Sequence, residues 1–555
     1  MGTIILRFTS ALLLASLFLA RQSARPAYAA GYVVNHLGDS IANDGVCTLR
    51  EAIQEANNGA NTDCVGSPSS ADDTITFSVS GTVVLDATLP NIVSGQGALT
   101  VNGGGNIIIS GNNSVRVMQV NSGANLTLQN LTIANGFISI YNEGTLMVTG
   151  STFFANSATN GGGIYNLGTL NVTNSTFSTN RASGYGGGIY NSGGTLTVSN
   201  STFSDNRANY GGGIYNASSG MLNVINSTFS TNHAISGGGG IYNLSPGTIT
   251  ITGSTFSNNS SGGSIASNGG GISHSGFGTL NVTNSIFSAN RATNYGGGIY
   301  NSGTLMVTNS TFSGNNASSS GGGISNATDA VLNVINSIFS SNRAPAGGGI
   351  SNVFAMLTVT GSAFSGNSAF SGGGIYNYFG TLTVSNSTFF GNEEPNSGGG
   401  IYNDGALTVM NSTFSANSAS TGGGIYVNSG TATLKNTIIA NSMNGGDCVG
   451  SLSGSNINNL IEDSANACGL VNGVDGNIIG FDPNLGPLTG SPAYFPLNPG
   501  SRAIDTGTNS GCPAADQRGV PRPQDGDVNG TAVCDIGSYE AEPRRLYLPL
   551  VLRNR

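Results

Sequence analysis

Few side chains in this sequence could act together as acids, bases or nucleophiles. Cleavage of a polysaccharide needs clustered carboxylates, either as an acid and base pair or as acids that hold calcium beside a basic residue. In the repetitive middle of the chain, the acids that come near one another are Glu393, Glu394 and Asp404. Their placement in Asn- and Gly-rich sequence favours a solvated turn, so no catalytic residue is assigned.

A second acidic motif lies near the C-terminus. Asp525-Gly-Asp527-Val-Asn529-Gly530 has the opening of a calcium-binding loop, but its twelfth position is Ile536, where such a loop carries a bidentate Glu. Two interpretations remain open: a calcium site formed by Asp525, Asp527 and Asn529, or an acidic turn without an ion, which is favoured. Apart from calcium, the sequence predicts no cofactor.

Basic side chains recur at one position of a repeated motif. They directly follow the Asn of the pattern Phe-x-x-Asn, at Arg181, Arg207, His233, Arg291 and Arg343. If the units stack in register, these side chains form a stripe that could bind acidic glycans. The plainer interpretation is a row of solvated turn residues.

Tyrosines share another position of the same repeat. They are Tyr165, Tyr190, Tyr215, Tyr242 and Tyr300. An exposed ladder of this kind suits stacking on sugar rings, whereas a buried one would belong to the core. We expect partial exposure.

Composition narrows the choice of partner and compartment. The formal net charge is -9, with 17 Lys and Arg against 26 Asp and Glu. Nucleic acid is therefore not an expected partner, because its binding needs a basic footprint. The six cysteines form three sequence-near candidate pairs, Cys47 with Cys64, Cys448 with Cys468 and Cys512 with Cys534, and this pairing is inferred from proximity among 15 connectivities.

The strongest signal is an internal repeat. Gly-Gly-Gly-Ile occurs eleven times at spacings of 24 to 27 residues with one gap of 31, and Phe-x-x-Asn runs in phase with it. Each unit has an alternating apolar stretch, such as Leu170-x-Val172, which predicts a strand. The residue three before each Phe is Asn or Gly, as at Asn174 and Gly150, which predicts a left-handed turn.

One such unit cannot bury its apolar side alone, but stacked units can. The sequence therefore predicts an all-β, right-handed parallel β-helix of about 12 regular coils plus a few irregular ones. We expect the Phe, Leu, Val and Ile positions to form interior stacks.

The ends differ from the repeats. Residues 1–29 are predicted to be a signal peptide, with an apolar run and an Ala27-Tyr28-Ala29 cleavage site, so the chain is expected to be exported. Residues 30–73 form a cap with one short helix, which begins at a capping box of Thr48 and Glu51. Residues 74–442 are the β-helix, 443–541 a disulfide-stapled terminal region with an anchor-like sequence, and 542–555 an apolar and then basic tail. No transmembrane span is expected in the mature chain.

These motifs resemble known families of exported proteins. The paired Gly-Gly-Gly-Ile and Phe-x-x-Asn motifs resemble the polymorphic outer membrane protein repeat. That repeat forms a surface-exposed β-helix of the pectin-lyase-like type with adhesin roles. The run Cys47-Thr-Leu-Arg-Glu-Ala52 is similar to the CSLREA-type N-terminal module. Four C-terminal motifs resemble those of choice-of-anchor domains: Asp482-Pro-x-Leu-Gly-Pro-Leu488, Ser501-x-Ala-Ile-Asp505, Asp516-Gln-Arg-Gly519 and Cys534-Asp-Ile-Gly537. The resemblance implies a secreted or cell-surface location and carries no catalytic residues.

The sequence thus favours a structural or adhesin-like protein that binds a surface or a polysaccharide along its lateral face. The alternative is a polysaccharide lyase or glycoside hydrolase of the pectin-lyase-like class, since the β-helix fold also hosts such enzymes. The scarcity of acids within the repeats favours the first hypothesis.

Overall fold

Alternation of apolar and polar residues produces short strands that stack turn upon turn. The computed structural model describes residues 30–59, 63–64, 71–263 and 267–543. Consecutive turns pair in parallel, and together they form an all-β solenoid of about 15 turns, consistent with a right-handed β-helix. The predicted signal peptide, residues 1–29, and most of the predicted tail lie outside the described residues.

The first sheet, here called the leucine sheet, carries the Leu-x-Val pattern. Leu170 lies opposite Leu146 and Leu196 in the neighbouring turns, and Val172 opposite Val148 and Val198. Both rows face the interior and are buried. The strands of the leucine sheet are Gly31–Val34, Asp73–Phe77, Ala98–Asn102, Asn125–Gln129, Thr145–Thr149, Thr169–Thr173, Thr195–Ser199, Met221–Ile225, Thr248–Thr252, Thr279–Thr283, Thr304–Thr308, Val331–Ile335, Met356–Thr360, Thr381–Ser385, Ala406–Met410 and Thr431–Lys435.

The second sheet, the phenylalanine sheet, follows in each turn. Its inward Phe rings form one continuous stack; the centroids of Phe287 and Phe312 are 4.7 Å apart with the rings nearly parallel, and both side chains are fully buried. The strands are Gly81–Val84, Ile107–Ser110, Thr132–Ala134, Thr152–Phe154, Thr176–Ser178, Thr202–Ser204, Thr228–Ser230, Thr255–Ser257, Ile286–Ser288, Thr311–Ser313, Ile338–Ser340, Ala363–Ser365, Thr388–Phe390, Thr413–Ser415, Ile438–Ala440, Leu460–Ile461 and Ile478–Ile479.

Two further sheets lie along the solenoid, and the arginine sheet spans only the turns between Ser157 and Ala317. The arginine sheet contains Ser157–Asn160, Arg181–Tyr185, Arg207–Tyr210, His233–Gly237, Ser260–Ser261, Arg291–Ala292 and Asn316–Ala317. The tyrosine sheet, which follows each Gly-Gly-Gly, contains Met118–Val120, Ile140–Asn142, Ile164–Asn166, Ile189–Ser192, Ile214–Ala217, Ile241–Asn243, Ile272–His274, Ile299–Asn301, Ile324–Asn326, Ile350–Val353, Ile375–Tyr378, Ile401–Asn403, Ile425–Val427 and Cys448–Gly450.

A buried ladder of asparagines joins the turns between the phenylalanine and arginine sheets. The Asn290 side-chain nitrogen donates to the Asn315 side-chain oxygen at 2.9 Å and to the Phe256 carbonyl at 2.8 Å. Its own side-chain oxygen accepts from Asn259, through both the backbone and the side-chain nitrogen, at 3.0 Å. The Asn of Phe-x-x-Asn is thus fully satisfied in the interior, which explains why a polar residue recurs there.

The turn between the leucine and phenylalanine sheets has the backbone that the Asn-or-Gly position predicts. Asn174 has φ 49° and Gly150 has φ 58°, both in the left-handed region. Asn and Gly adopt this region at the lowest cost, so the sequence preference follows directly from the backbone. The side chain of Asn174 points to the surface and is exposed.

The N-terminal helix runs from Leu49 to Asn58 and begins with the predicted capping box between Thr48 and Glu51. It ends at Gly59, which has φ 62°. Leu49 and Ile53 are buried and join the core that runs along the solenoid. A strand of the leucine sheet, Gly31–Val34, precedes this helix and pairs with Asp73–Phe77, so the ladder begins before residue 74.

The C-terminal region folds back on the outer face of the phenylalanine sheet. The ladder itself continues past residue 442 to Leu460–Ile461 and Ile478–Ile479. Beyond it, the Ser538 backbone nitrogen donates to the Thr413 hydroxyl at 3.0 Å, and the Thr388 hydroxyl donates to the Gln517 side-chain oxygen at 2.6 Å. A 3-10 turn, Val474–Gly476, and a two-stranded hairpin, Thr489–Gly490 with Ala493–Tyr494, lie in this part of the chain.

Disulfide bonds lie at the two ends of the solenoid. They join Cys47 to Cys64, Cys448 to Cys468 and Cys512 to Cys534. Each bond links the pair that is nearest in sequence, and each lies where the regular repeat is absent. Within the described residues, no helix is long and apolar enough to cross a membrane.

Candidate functional site

The basic residues predicted to form a stripe do share one row of the arginine sheet. Arg181 lies opposite Arg207, and Arg207 opposite His233, in three successive turns. Ser260 interrupts the row before Arg291, and Asn316 separates Arg291 from Arg343. The four Arg side chains are exposed and His233 is half-buried, so the row is accessible along its length.

Local alternation explains why the basic residues face outward. Each is followed by a buried Ala, such as Ala182, Ala208 and Ala234, whose methyl group points into the solenoid. Neighbouring residues of a strand point to opposite faces, so a buried Ala sends the preceding side chain to solvent. Adjacent strands are about 4.8 Å apart, which sets the spacing along the arginine stripe, Arg181, Arg207, His233, Arg291 and Arg343.

Within the described residues, no ion pair joins an Arg of the arginine stripe to a carboxylate. The ion pairs found in the described part of the chain join Arg50 to Asp39, Arg518 to Asp516 and Glu542, and Arg522 to Glu540. Burial, and then the Arg207 guanidinium, lower the pKa of His233, so His233 contributes as a neutral hydrogen-bonding group at neutral pH. The charge therefore comes from the guanidinium groups.

A shallow groove runs over the first part of the stripe. It encloses about 550 Å³ and is lined by Arg181, Arg207, His233, Ser183 and Ile235, among others. Two guanidinium groups on one wall can bind carboxylate or sulfate oxygens through paired N–H donors. The groove therefore has the dimensions and donors for part of an anionic chain.

Tyrosines form a patch beside this groove, larger than the sequence indicated. In the tyrosine sheet, Tyr165 lies opposite Tyr141 and Tyr190, and Tyr215 opposite Tyr190 and Tyr242. Tyr185 and Tyr210, at the ends of arginine-sheet strands, contact this row: the Tyr185 centroid is 4.6 Å from that of Tyr215, and the Tyr210 centroid is 5.0 Å from that of Tyr242. The tyrosine patch is Tyr141, Tyr165, Tyr185, Tyr190, Tyr210, Tyr215 and Tyr242.

Most of the tyrosine patch is half-buried, as expected, while Tyr185 is exposed and Tyr215 is buried beneath its neighbours. Burial raises the pKa of Tyr165 and of Tyr242, which keeps both phenols protonated at physiological pH. Arg116 lies 5.0 Å from the centroid of Tyr141 and extends the patch with a cation. Tyr300 occupies the same row beyond Ser273, where the row of rings is interrupted.

The acids Glu394 and Asp404 of the repeats accept hydrogen bonds from different groups. The Asp404 carboxylate accepts hydrogen bonds from Tyr402, Asn428 and Ser429 on the tyrosine-sheet side. Glu394 accepts instead from the Asn396 backbone nitrogen, and burial raises its pKa to about 7. Glu394 and Asp404 share no hydrogen-bond partner among these contacts, so the structure does not bring them together as an acid and base pair.

The predicted calcium motif lies beside an acid that the sequence analysis did not include. Carboxylate oxygens of Asp505, Asp525 and Asp527 lie within 4.8 Å of one another. Burial is the main cause of the raised pKa of Asp505, and the Asp527 carboxylate adds to it. Three clustered carboxylates with oxygen donors are suited to Ca²⁺.

Asn529, the third predicted calcium ligand, donates hydrogen bonds to the two acids of the motif. Its side-chain nitrogen donates to Asp527 at 2.8 Å, and its backbone nitrogen donates to Asp525 at 2.9 Å. The Gly530 backbone nitrogen also donates to Asp525, at 2.9 Å. These bonds would also stabilise an acidic turn without an ion, so the geometry is compatible with both interpretations.

Comparison with known protein families supports the repeat type. A family model described as the Chlamydia polymorphic membrane protein (Chlamydia_PMP) repeat matches residues 174–192, 200–217 and 284–302. No curated protein matches the chain in sequence. Among solved structures, the chain is similar to a PL6 alginate lyase in complex with a trisaccharide, at 12% identity and a TM-score of 0.25, covering 68% of this chain and 85% of that one. It is also similar to the pectate lyase Pel9A, at 13% identity and a TM-score of 0.18, covering 92% of this chain and 96% of that one.

Proposed function

We propose that this chain is a secreted or cell-surface structural protein, adhesin-like in its role, that binds an acidic glycan along one lateral face. The binding surface is the arginine stripe together with the tyrosine patch. The predicted signal peptide, the CSLREA-like segment and the anchor-like C-terminal sequence support export and surface retention. The match to a polymorphic membrane protein repeat supports the same location.

The observation that carries this proposal is the coincidence of two rows over the same turns. Arg181 and Arg207 lie in register and have no carboxylate partner among the described residues. The same two strands end at Tyr185 and Tyr210. Guanidinium groups would bind the carboxylates or sulfates of a glycan, and tyrosine rings would pack against its sugar rings. Repetition of both rows turn after turn suits a polymer better than a small molecule.

The test is retention of the mature chain on immobilised acidic polysaccharides, with polygalacturonate, alginate and heparin as probes. In the variant Arg181→Ser/Arg207→Ser, two positions receive the residue that Ser260 supplies naturally in the same row. We expect at least about a tenfold loss of affinity, since each charged hydrogen bond contributes about 1.5 to 3 kcal/mol. The variant Arg291→Ser/Arg343→Ser makes the same change of charge away from the tyrosine patch and should lose less.

Salt and aromatic variants sharpen this test. Retention should weaken as salt rises, because exposed charges are screened. Tyr185→Ala should weaken it further without a change in net charge. Failure of all three acidic probes to bind would contradict the proposal, as would equal losses in the two arginine variants.

The alternative function is a polysaccharide lyase or glycoside hydrolase. The observation in its favour is Glu394, a buried carboxyl group whose pKa of about 7 lies in the range of a general acid or base. The same polysaccharides, analysed for chain shortening, test this alternative. Cleavage that is lost in Glu394→Gln but retained in Asp404→Asn would establish it in place of the adhesin proposal.

A further inference from the structure

The outer face of the phenylalanine sheet binds the C-terminal region through asparagines of the left-handed turn. In three consecutive turns, a side-chain nitrogen donates to a backbone carbonyl of that region: Asn386 to Ala515 at 2.8 Å, Asn411 to Asp535 at 3.3 Å and Asn436 to Thr508 at 3.0 Å. All three asparagines are buried by this contact. The row of asparagines is therefore a built-in set of donors for oxygen acceptors.

The same row continues into turns that the C-terminal region does not cover. Asn309 and Asn336 have φ of 49° and 48°, the same backbone as Asn386, but both are exposed. Gly361 lies between Asn336 and Asn386 in the row and marks the border of the covered face. Asn309 and Asn336 thus offer to solvent the same side-chain groups that bind carbonyl oxygens from Asn386 onward, two or three turns further on.

A cavity lies at this border. The hairpin that ends at Tyr494 overhangs the phenylalanine sheet and encloses about 510 Å³ with it. The phenylalanine-sheet side contributes Asn309, Thr311, Asn336 and Ile338 to the lining, and the C-terminal region contributes Pro492, Tyr494 and Arg518. The volume is in the range typical of sites for small organic ligands.

The charges around this cavity are already paired. Arg518 binds Asp516 at 2.7 Å and lies 3.6 Å from Glu542. Behind it, Arg522 lies 3.5 Å from Glu540. Because Arg518 and Arg522 both have a carboxylate partner, the described part of the wall offers no free positive charge to an anion, in contrast to the arginine stripe. An anionic ligand is therefore disfavoured here.

We propose that this border cavity binds an uncharged oligosaccharide. Sugar hydroxyl and ring oxygens would accept hydrogen bonds from Asn309 and Asn336, in place of the carbonyls that Asn386 and Asn411 bind. The apolar face of a sugar ring would pack against Tyr494 and Pro492, which line the same cavity as the asparagines. This site is on a different face from the arginine stripe and takes a ligand of different charge, so it is independent of the proposed function above.

The experiment uses the mature chain with its C-terminal region in place. Binding of cellohexaose, mannohexaose and xylohexaose is measured by isothermal titration calorimetry, with hexagalacturonate and a hexaglycine peptide as competing classes. The test variant is Asn309→Gly/Asn336→Gly, which keeps the left-handed backbone because Gly253 and Gly361 occupy the same position naturally. The matched control is Asn200→Gly/Asn226→Gly, two uncovered turns of the same row. Tyr494→Ala removes the stacking surface.

We expect at least one neutral hexasaccharide to bind the wild-type chain. The Asn309/Asn336 variant should bind it roughly tenfold more weakly, because two hydrogen bonds are lost. The Asn200/Asn226 control and Arg181→Ser/Arg207→Ser should bind it as the wild type does, which separates this site from the arginine stripe. The proposal is overturned if no neutral hexasaccharide binds, if only hexaglycine or hexagalacturonate binds, or if the test and control variants lose affinity equally.

Discussion

Between Ser157 and Ala440 the buried side chains recur from turn to turn, whereas in residues 483–541 the buried side chains are a mixture of apolar and charged groups. The repeats bury Phe, Leu, Val, Ile and fully bonded Asn in register. The C-terminal region buries Asp516, Arg522, Asp535 and Glu540 instead, and it is closed by the Cys512–Cys534 bond.

This difference shows two ways to stabilise a chain with few charged residues. In a repeat, a side chain that fits its neighbour once fits it in every turn, so stacking of identical groups supplies both packing and hydrogen bonds. The C-terminal region follows no period and therefore depends on specific partners, each of which must be matched by a different residue. The two regions should consequently respond differently to mutation, reduction and pH.

The largest effect is expected from the aromatic stack. Phe287→Ala should lower the free energy of unfolding by roughly 3–5 kcal/mol, because it removes a fully buried ring and leaves a cavity between two stacked neighbours. Urea unfolding followed by far-UV circular dichroism measures the change. Tyr fluorescence is a second probe, since the chain has no Trp.

Phe277→Ala is the matched control. Its ring is 92% exposed in a turn of the same solenoid, so the substitution should change stability by less than about 0.5 kcal/mol. Equal effects of the two substitutions would show that the Phe stack does not hold the repeats together.

The Phe stack is also the part of the structure that the sequence predicted best. Residues such as Phe287 and Leu280 recur at a fixed spacing, and a recurring apolar residue in a strand must face the interior of a solenoid. The left-handed turns were predicted for the same reason, because Asn and Gly are the residues that tolerate them.

The sequence predicted less of the sites because their members come from parts of the chain that follow no common pattern. Asp505 lies twenty residues before Asp525 and joins it through the irregular fold of the C-terminal region. Tyr185 and Tyr210 stand at unequal distances from their Arg residues, so a strict repeat alignment does not group them with Tyr190 and Tyr215. The structure shows a register shift between Arg181 and Tyr185, and this shift places Tyr185 opposite Tyr210.

The second prediction concerns the disulfide bond of the C-terminal region. Cys512→Ala/Cys534→Ala should destabilise that region by about 3 kcal/mol, the value expected when a closed loop of this size is opened. Hydrogen exchange measured by mass spectrometry should show faster exchange in residues 484–541 and unchanged exchange in residues 157–440. A uniform loss of protection along the whole chain would contradict the separation of the two regions.

The third prediction is a pH dependence that is strongest in the C-terminal region. Burial, and then the nearby Glu540 carboxylate, raise the pKa of Asp535 to about 8. The folded state therefore binds this proton more tightly than the unfolded state, so its stabilising contribution is present below about pH 4 and is lost as pH rises towards 8. Arg522, close to Glu540, bears the opposite charge and offsets part of this effect.

Hydrogen exchange at pH 5 and pH 9, corrected for the intrinsic rate, measures this dependence. We expect at least about tenfold less protection of residues 484–541 at pH 9, which corresponds to about 1.4 kcal/mol. Residues 157–440 should change less, and the change there should centre on Glu394, whose pKa burial raises to about 7. Asp535→Asn should flatten the pH response of the C-terminal region, and an unaltered response in that variant would assign the effect to another group.

The smallest effect is expected from calcium. Asp505, Asp525 and Asp527 repel one another, and an ion that binds all three should stabilise the C-terminal region. With an affinity near 1 mM, a value common in extracellular modules, 10 mM Ca²⁺ would add about 1.4 kcal/mol. Thermal unfolding with and without Ca²⁺ tests this, with Mg²⁺ as the ionic control and Asp505→Asn as the variant that should abolish the shift.

Because Asp505 was absent from the sequence motif, a Ca²⁺ shift that disappears in Asp505→Asn would show that the fold completes the site. If Ca²⁺ does not raise the unfolding temperature of the wild-type chain, the three carboxylates belong to an acidic turn without an ion. The backbone nitrogens of Asn529 and Gly530 stabilise that turn by donating to Asp525.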